Sequence, residues 1–162
     1  MKILDGKMVS EKILGEIKLE LQGELGKPSM CIVMVGNNPA SETYVKFKLR
    51  ACEKAGLDAK LIRFDEDISM YNLYNEVSKL NKSHFDGFII QLPLPKHIND
   101  QDIINAIDPL KDIDGFTPTN SGMMSLGLDK EKDFYLRPAT PYGILKLIEH
   151  YEIETNGKHV VV

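Results

Sequence analysis

The fold is decided by the stretch Met30-Cys31-Ile32-Val33-Met34-Val35, an unbroken apolar run that ends at Gly36. A strand with one solvated face alternates apolar and polar residues, whereas a strand buried on both faces is apolar throughout. Two later segments, Ala59 to Phe64 and Gly87 to Gln91, also have the character of strands. The first run therefore predicts a strand that is buried on both faces of a covered sheet.

Helical segments separate these strands. An apolar stripe at helical spacing is formed by Ile13, Leu14, Ile17, Leu21 and Leu25. The pair Asn38-Pro39 has the pattern of an N-cap followed by proline, and it predicts a helix that runs to about Ala55 and stops at Gly56. Helices are also expected from Ser69 to Asn81 and from Asp100 to Ile107.

Strands that alternate with helices predict an α/β protein with a mainly parallel sheet and helices on both faces, in three layers. In such sheets, ligands bind beyond the carboxyl ends of the strands. This rule indicates three candidate segments: Gly36 to Lys48, Gln91 to Pro95, and a loop from Lys111 to Asn120.

The last part of the chain predicts a connecting helix and one more strand. Thr140-Pro141 resembles another cap followed by proline, and apolar residues continue to Ile148. After a turn at Asn156-Gly157, a strand of the buried type is expected from Lys158 to Val162. Because such a strand needs neighbours to cover it, we expect further chain beyond this point.

Composition excludes several classes of protein. The 162 residues carry a net charge of −4 and no basic tract, so we expect no nucleic-acid partner. No apolar run approaches the roughly 20 residues that span a bilayer, and Asp5 interrupts any signal peptide. We therefore expect no membrane association and a cytoplasmic location. Cys31 and Cys52 are expected to be reduced and buried.

Three features could carry chemistry, and each also has a plain structural explanation. Tyr44 and Lys48 share one helix face, but such a pair is commonly a half-buried tyrosine beside a solvated lysine. Gln91 is a polar residue before two rigidly placed prolines, and it could simply close a strand. The segment Lys111-Asp112-Ile113-Asp114-Gly115-Phe116 could be a solvated turn. It is a poor calcium loop because the further acidic ligands are absent.

Metal sites and common catalytic motifs find no support. The four histidines show no zinc-ligand spacing. The sequence contains no GxGxxG, phosphate-binding GKS/T or GxSxG motif. We therefore expect no metal.

Taken together and in order, four segments resemble the methylenetetrahydrofolate dehydrogenase/cyclohydrolase family. They are Val35-Gly36-Asn37-Asn38-Pro39-Ala40-Ser41 with Tyr44 and Lys48, Gly87-Phe88-Ile89-Ile90-Gln91-Leu92-Pro93-Leu94-Pro95, Lys111-Asp112-Ile113-Asp114-Gly115-Phe116 with Asn120 and Gly122, and Arg137-Pro138-Ala139-Thr140-Pro141-Tyr142-Gly143-Ile144. The resemblance covers essentially the whole chain. Many members have cysteine at the position of Ala139, and little effect on chemistry is expected from this difference.

The resemblance implies a domain division and two activities. Residues 1–137 would form the folate-binding catalytic domain, and residues 138–162 would form a connecting helix and the first strand of a truncated Rossmann-like domain. The intact enzyme would oxidise 5,10-methylenetetrahydrofolate with NADP, NAD being less expected, and would hydrolyse the product to 10-formyltetrahydrofolate. Both steps belong to one-carbon metabolism, which serves purine and amino-acid biosynthesis. The intact enzyme would be a homodimer.

The resemblance also implies roles for residues of this chain. Lys48 would be the central catalytic residue, held in place by a hydrogen bond with Gln91. Tyr44 would stack on folate rings, and Asp114 would accept hydrogen bonds from the pterin. Ser41, Pro93 and Asp112 would complete the substrate site, with Asp112 either orienting its loop or pairing with Lys111 or another base.

The residues that bind the nicotinamide cofactor are expected to lie outside this chain, so dehydrogenase activity is not expected from it alone. A folate-binding fragment without turnover is the alternative that the resemblance leaves open. A generic α/β binding domain for another ligand would require all four segments to match by coincidence.

Overall fold

The structure is a computed structural model that describes residues 3–23, 26–127 and 135–161. The helices and strands follow one another as α1 (Gly6–Leu21), β1 (Ser29–Val35), α2 (Pro39–Ala55), β2 (Asp58–Phe64), α3 (Met70–Asn81), β3 (Gly87–Ile90), α4 (Asp100–Asn105), α5 (Pro118–Ser125) and α6 (Ala139–His150).

The three strands form one parallel sheet in the order β2-β1-β3. The apolar run predicted to be buried on both faces forms the central strand, with Val33 opposite Ile62 on one side and Ile90 on the other. All three strands end at the same edge of the sheet. The predicted α/β fold is thereby confirmed.

Helices cover both faces of this sheet, as expected for three layers. Alternate residues of β1 point to opposite sides, so Cys31 and Val33 pack with Leu73 of α3 in the larger apolar cluster. Ile32 packs in the smaller cluster with Val45 of α2. The central strand is thus buried on both faces, which is why its sequence from Met30 to Val35 contains no polar residue.

Local capping explains where the helix that follows β1 begins and ends. The Asn38 side chain accepts hydrogen bonds from the backbone N–H groups of Ala40 and Ser41 at 2.9 and 3.2 Å, and Pro39 occupies the first turn. At the other end Gly56 adopts φ 85°, a left-handed conformation that suits glycine. Both predicted boundaries of α2 are confirmed.

Two predictions near the end of the chain need correction. The segment from Lys111 to Asn120 is not a loop throughout, because α5 begins at Pro118 and its N-cap Thr117 accepts from the N–H of Asn120. Thr140 does not cap the next helix, since α6 already begins at Ala139. A proline in the first helical turn is tolerated because N–H groups there have no partner within the helix.

The strand predicted from Lys158 to Val162 is not formed by residues 158–161. Val160 and Val161 are strongly exposed, and no strand among the described residues lies beside them to supply a ladder of hydrogen bonds. Val162 and Leu25, the last residue of the predicted apolar stripe, lie outside the described residues.

The stripe on α1 is only half-buried. Ile13, Leu14 and Ile17 face α6 across an open, mainly apolar groove of about 770 Å³. Gly6 packs on Leu147 at the edge of this groove.

The two cysteines are free and buried, as predicted. None of the helices in the described part of the chain is long and apolar enough to cross a membrane.

Candidate active site

A cavity of about 330 Å³ lies at the carboxyl ends of β1 and β3. It brings together the four residues predicted to be catalytic, which are Tyr44, Lys48, Gln91 and Asp114. Tyr44 and Lys48 come from one face of α2, Gln91 follows β3, and Asp114 comes from the loop after α4. Segments that are distant in sequence therefore converge at the sheet edge where parallel folds bind their ligands.

Lys48 and Asp114 form the charged centre of the cavity. The Lys48 Nζ lies 3.7 Å from Asp114 Oδ2, and 18% of the Asp114 side chain is exposed. Burial raises the pKa of the Asp114 carboxyl above its usual range, the positive charge of Lys48 lowers it in part, and the negative charge of Asp112 raises it. The effect of burial on the pKa is larger than the effect of Lys48, so the environment of this carboxyl favours its neutral form more than water does.

Gln91 is not hydrogen-bonded to Lys48, in contrast to the expected contact. Its Nε2 donates to the carbonyl of Leu92 at 2.8 Å, and its Oε1 is buried without a partner. The bond to Leu92 orients the amide, because exchanging the two ends would bring oxygen against oxygen. Gln91 therefore presents an unused acceptor beside the cavity, and buried acceptors are rarely left without a donor.

The aromatic ring of Tyr44 is available at the mouth of the cavity, where 61% of the residue is exposed. A ring in this setting offers a flat face on which a planar ligand can stack. Phe116 lies across the same cavity and is also exposed.

Three other predicted site residues do not line this cavity. Ser41 is buried, and its Oγ donates to the carbonyl of Leu92 at 3.3 Å, which ties α2 to the segment after β3. Pro93 follows the cis peptide bond from Leu92 and lines a neighbouring cavity of about 670 Å³.

Asp112, the third of these residues, is 2% exposed and accepts from the N–H of Thr117 at 2.7 Å and from Asn120 Nδ2 at 3.0 Å. It does not pair with Lys111, whose Nζ donates to the carbonyls of Ser83 and Phe85. Of the two roles expected for Asp112, the geometry matches the orientation of its loop.

The sequence reasoning missed one wall of the cavity, which Pro138, Ala139, Thr140 and Pro141 form at the start of α6. From the sequence, this segment is placed only at the boundary between residues 1–137 and residues 138–162 and is given no part in the site. Gly115, at φ 67°, allows the Asp114 loop to approach this wall, because a Cβ there would lie 2.7 Å from the carbonyl oxygen of Leu136. The glycine in the Asp-Gly pair was the available signal.

The turn from β1 into α2 does not fit the pyrophosphate of a nicotinamide dinucleotide. Such a pyrophosphate is usually held by free N–H groups at a glycine-rich turn from a strand into a helix. At the turn from β1 into α2, Pro39 has no N–H, and the N–H groups of Ala40 and Ser41 donate to Asn38. Within the described ranges, no group of three or more His, Cys, Asp or Glu side chains could hold a metal ion.

The fold is that of an α/β domain with a cavity at the carboxyl edge of its parallel sheet. Residues 4–114 match the family described as tetrahydrofolate dehydrogenase/cyclohydrolase, catalytic domain, and the chain belongs to this family.

Relatives and solved structures agree with this assignment. Bifunctional protein FolD 1 of Geobacter metallireducens is 48% identical over 100% of the chain and 56% of its own length. The FolD enzyme from Campylobacter jejuni, a methylenetetrahydrofolate dehydrogenase/cyclohydrolase, superposes with a TM-score of 0.88 at 39% identity, over 94% of this chain and 54% of that one. The chain spans about half the length of the curated relatives that it matches.

The enzyme from Trypanosoma brucei, solved with an NADP cofactor and an inhibitor, is similar at 25% identity and a TM-score of 0.80, over 94% of this chain and 51% of that one.

Proposed function

We propose that the protein binds a reduced folate in the cavity between α2 and the Asp114 loop, and that Lys48 carries the hydrolysis of 5,10-methenyltetrahydrofolate to 10-formyltetrahydrofolate. The observation that supports this most directly is the Lys48–Asp114 pair, 3.7 Å apart, in the cavity that Tyr44 and Gln91 also line. The names of the relatives, which include dehydrogenase and cyclohydrolase enzymes, point to the same substrate class.

The polar groups of the cavity suit the parts of a folate. A pterin presents several N–H donors along one edge, and both the Asp114 carboxylate and the unpaired Gln91 Oε1 are acceptors. The exposed ring of Tyr44 can stack on the planar portion of the ligand. In this proposal, Tyr44, Gln91 and Asp114 bind and orient the substrate.

The hydrolysis itself requires proton transfers near the methenyl carbon. Water adds to this carbon and loses a proton, the bond from the carbon to one ring nitrogen breaks, and that nitrogen takes up the proton of the new hydroxyl group. One water is consumed and one proton is released overall. Lys48 Nζ is the group that moves these protons, while the carboxylate of Asp114 offsets the positive charge of the substrate.

We further propose that the intact protein oxidises 5,10-methylenetetrahydrofolate with NADP as hydride acceptor, as a cytoplasmic homodimer active in one-carbon metabolism. The turn from β1 into α2 does not fit the pyrophosphate of the dinucleotide, so in this proposal the step depends on parts of the protein outside the described residues. The NADP-bound relative from Trypanosoma brucei supports the choice of cofactor. Ser41, Pro93 and Asp112 keep supporting roles around the substrate site.

A second candidate is folate binding without turnover in this chain. It is favoured by the open mouth of the cavity at Tyr44, because water and substrate are not enclosed there. The two candidates share the binding site and differ only in whether Lys48 acts on the ligand.

The test is hydrolysis of methenyltetrahydrofolate by the 162-residue chain. The loss of the absorbance of the substrate measures the rate. Lys48→Met keeps the length of the side chain and removes the amine, and we expect a loss of about 10²-fold or more in the rate above the spontaneous reaction. Lys46→Met, an exposed neighbour on the same helix, is the matched control and should retain activity.

Calorimetric titration with 5-formyltetrahydrofolate measures binding separately. Binding without Lys48-dependent turnover would favour the second candidate, and an absence of binding would contradict both.

A further inference from the structure

Two walls of the cavity come from segments that are separate in sequence. One wall is the loop that carries Asp114 and Phe116, and the other is formed by residues 138–141, to which the segment 135–138 leads. The shape of the cavity depends on how these two segments are held against each other.

Asn120, on the first turns of α5, connects both walls. It is 2% exposed. Its Nδ2 donates to the carbonyl of Pro109 at 2.9 Å and to Asp112 Oδ2 at 3.0 Å, and its Oδ1 accepts from the backbone N–H of Leu136 at 3.2 Å. Both donors and the acceptor of the amide are therefore used, and Asn120 itself does not line the cavity.

The two segments also touch directly beside Asn120. Gly115 lies so close to the backbone of Leu136 and Arg137 that a Cβ would not fit. Ser121, the neighbour of Asn120, donates from Oγ to the carbonyl of Gly115 at 3.4 Å. A shift of the segment 135–138 would therefore be transmitted to the residue next to Asp114.

We propose that Asn120 is a positioning residue, which sets the placement of Asp114 opposite Lys48 by linking the Asp112–Phe116 loop to the segment 135–138. This inference rests on the proposed folate site and adds a residue that neither the motifs nor the cavity lining assigned a role. Asn120 acts on the substrate through Asp114 and touches no ligand itself.

A purely structural role is the competing explanation, and Asn81 provides the control for it. Asn81 does not line the cavity and makes two bonds of the same kinds, donating from Nδ2 to the carbonyl of Ala106 at 2.8 Å and accepting from the N–H of Asp108 at 2.8 Å. Asn81→Leu and Asn120→Leu thus remove comparable hydrogen bonds while keeping similar volume.

A double variant separates stability from positioning. Asn120→Leu leaves the buried carboxylate of Asp112 without one of its donors, which is destabilising. Asp112→Asn/Asn120→Leu removes that charge, and the new amide oxygen can still accept from the N–H of Thr117. Stability should then recover, while Leu136 remains unlinked.

The experiment uses the full chain and three readouts: the thermal midpoint, the NMR titration of the Asp114 carboxyl, and the affinity for 5-formyltetrahydrofolate. We expect Asn120→Leu to move the Asp114 titration midpoint and to weaken binding about tenfold, a loss of about 1.4 kcal/mol. Because removal of the Asp112 charge by itself lowers the pKa of Asp114, the double variant is compared with Asp112→Asn alone. It should regain thermal stability, and its Asp114 titration and its binding should still differ from those of Asp112→Asn. Asn81→Leu should lower the thermal midpoint alone.

If the double variant regains stability and matches Asp112→Asn in the Asp114 titration and in binding, the proposal is overturned, and equal changes in Asn81→Leu would also overturn it. If Asn120→Leu does not fold, the double variant decides whether Asn120 positions Asp114. If the unmodified chain binds no folate, the proposed function fails, and the Asp114 titration alone decides whether Asn120 positions that carboxyl.

Discussion

At the scale of single residues, environment rather than residue type gives the carboxylates of this protein different roles. Asp112 and Asp114 are two positions apart, yet one is fully engaged with Thr117 and Asn120 and the other faces Lys48 in the cavity. The residue pattern alone marks both as candidates, and only the family resemblance assigns them different roles, because their partners come from α5 and α2.

Asp114→Asn is predicted to stabilise the fold at neutral pH. Because burial raises the pKa of Asp114 in the fold, its contribution to stability is present below the ordinary pKa of the carboxyl and is lost as the pH rises through the raised value. Asparagine carries no charge, so the gain of the variant over the unmodified protein should grow from pH 3 to pH 8. Urea unfolding midpoints across this range measure the gain.

Asp86→Asn is the control of opposite sign. Hydrogen bonds from the N–H and Oγ of Ser29 lower the pKa of Asp86, so its contribution is present above the ordinary pKa and is lost as the pH falls through the lowered value. Asp86→Asn should be less stable than the unmodified protein at neutral pH, and this difference in stability should disappear at acidic pH. Parallel curves for the two variants would contradict the assigned environments.

At the scale of helices and strands, local sequence controls the element that carries the site. Asn38, Pro39 and Gly56 set the bounds of α2, and the spacing of four residues then puts Tyr44 and Lys48 on one face. The starts of α5 and α6 were harder to predict from the sequence. They depend on Thr117 and Pro138, which lie in segments that pack on other parts of the fold.

Two glycine substitutions should have opposite effects on stability. Gly87 begins β3, where a Cβ would lie 2.7 Å from Ile113 Cγ1 and 3.0 Å from the carbonyl oxygen of Lys111. We expect Gly87→Ala to cost about 1–3 kcal/mol through overpacking. Gly15 lies within α1 with no atom near the added methyl group, and Gly15→Ala should stabilise by about 0.5–1 kcal/mol.

Urea unfolding measures both variants against the unmodified protein. A neutral Gly87→Ala would mean that the segment beside β3 can move away, and the position of Asp114 would then be less tightly held than its contacts indicate.

At the scale of the whole molecule, one strand connects the two apolar clusters. β1 supplies Cys31 and Val33 to the cluster under α3, and Ile32 to the cluster under α2. Loss of either cluster exposes the other side of the same strand, so we expect the sheet and its two helical layers to unfold together.

The cysteines can test this cooperativity. Burial raises the pKa of Cys31 to about 11 and also raises that of Cys52, so neither thiol should react with iodoacetamide at pH 8 in the folded protein. Cys31 lies in β1 and Cys52 in α2. Pulse alkylation at increasing urea concentration, read by mass, should show both sites becoming labelled in one transition.

The fully unfolded chain is the reference for complete labelling of both thiols. Labelling of Cys52 well before Cys31 would show that α2, which carries Tyr44 and Lys48, opens independently of the sheet.

The sequence by itself determined the α/β class, the strand buried on both faces, the bounds of α2 and four of the residues that line the cavity, because apolar periodicity and capping are local and the family motifs retain their spacing. Only the tertiary structure decided which polar group meets which. In the structure Gln91 is hydrogen-bonded to Leu92 and not to Lys48, and buried Asp112 accepts from Asn120. The segment 138–141 forms one wall of the cavity. These contacts join positions distant in the chain, and a sequence pattern carries no information on their distances or on which donor satisfies a buried acceptor.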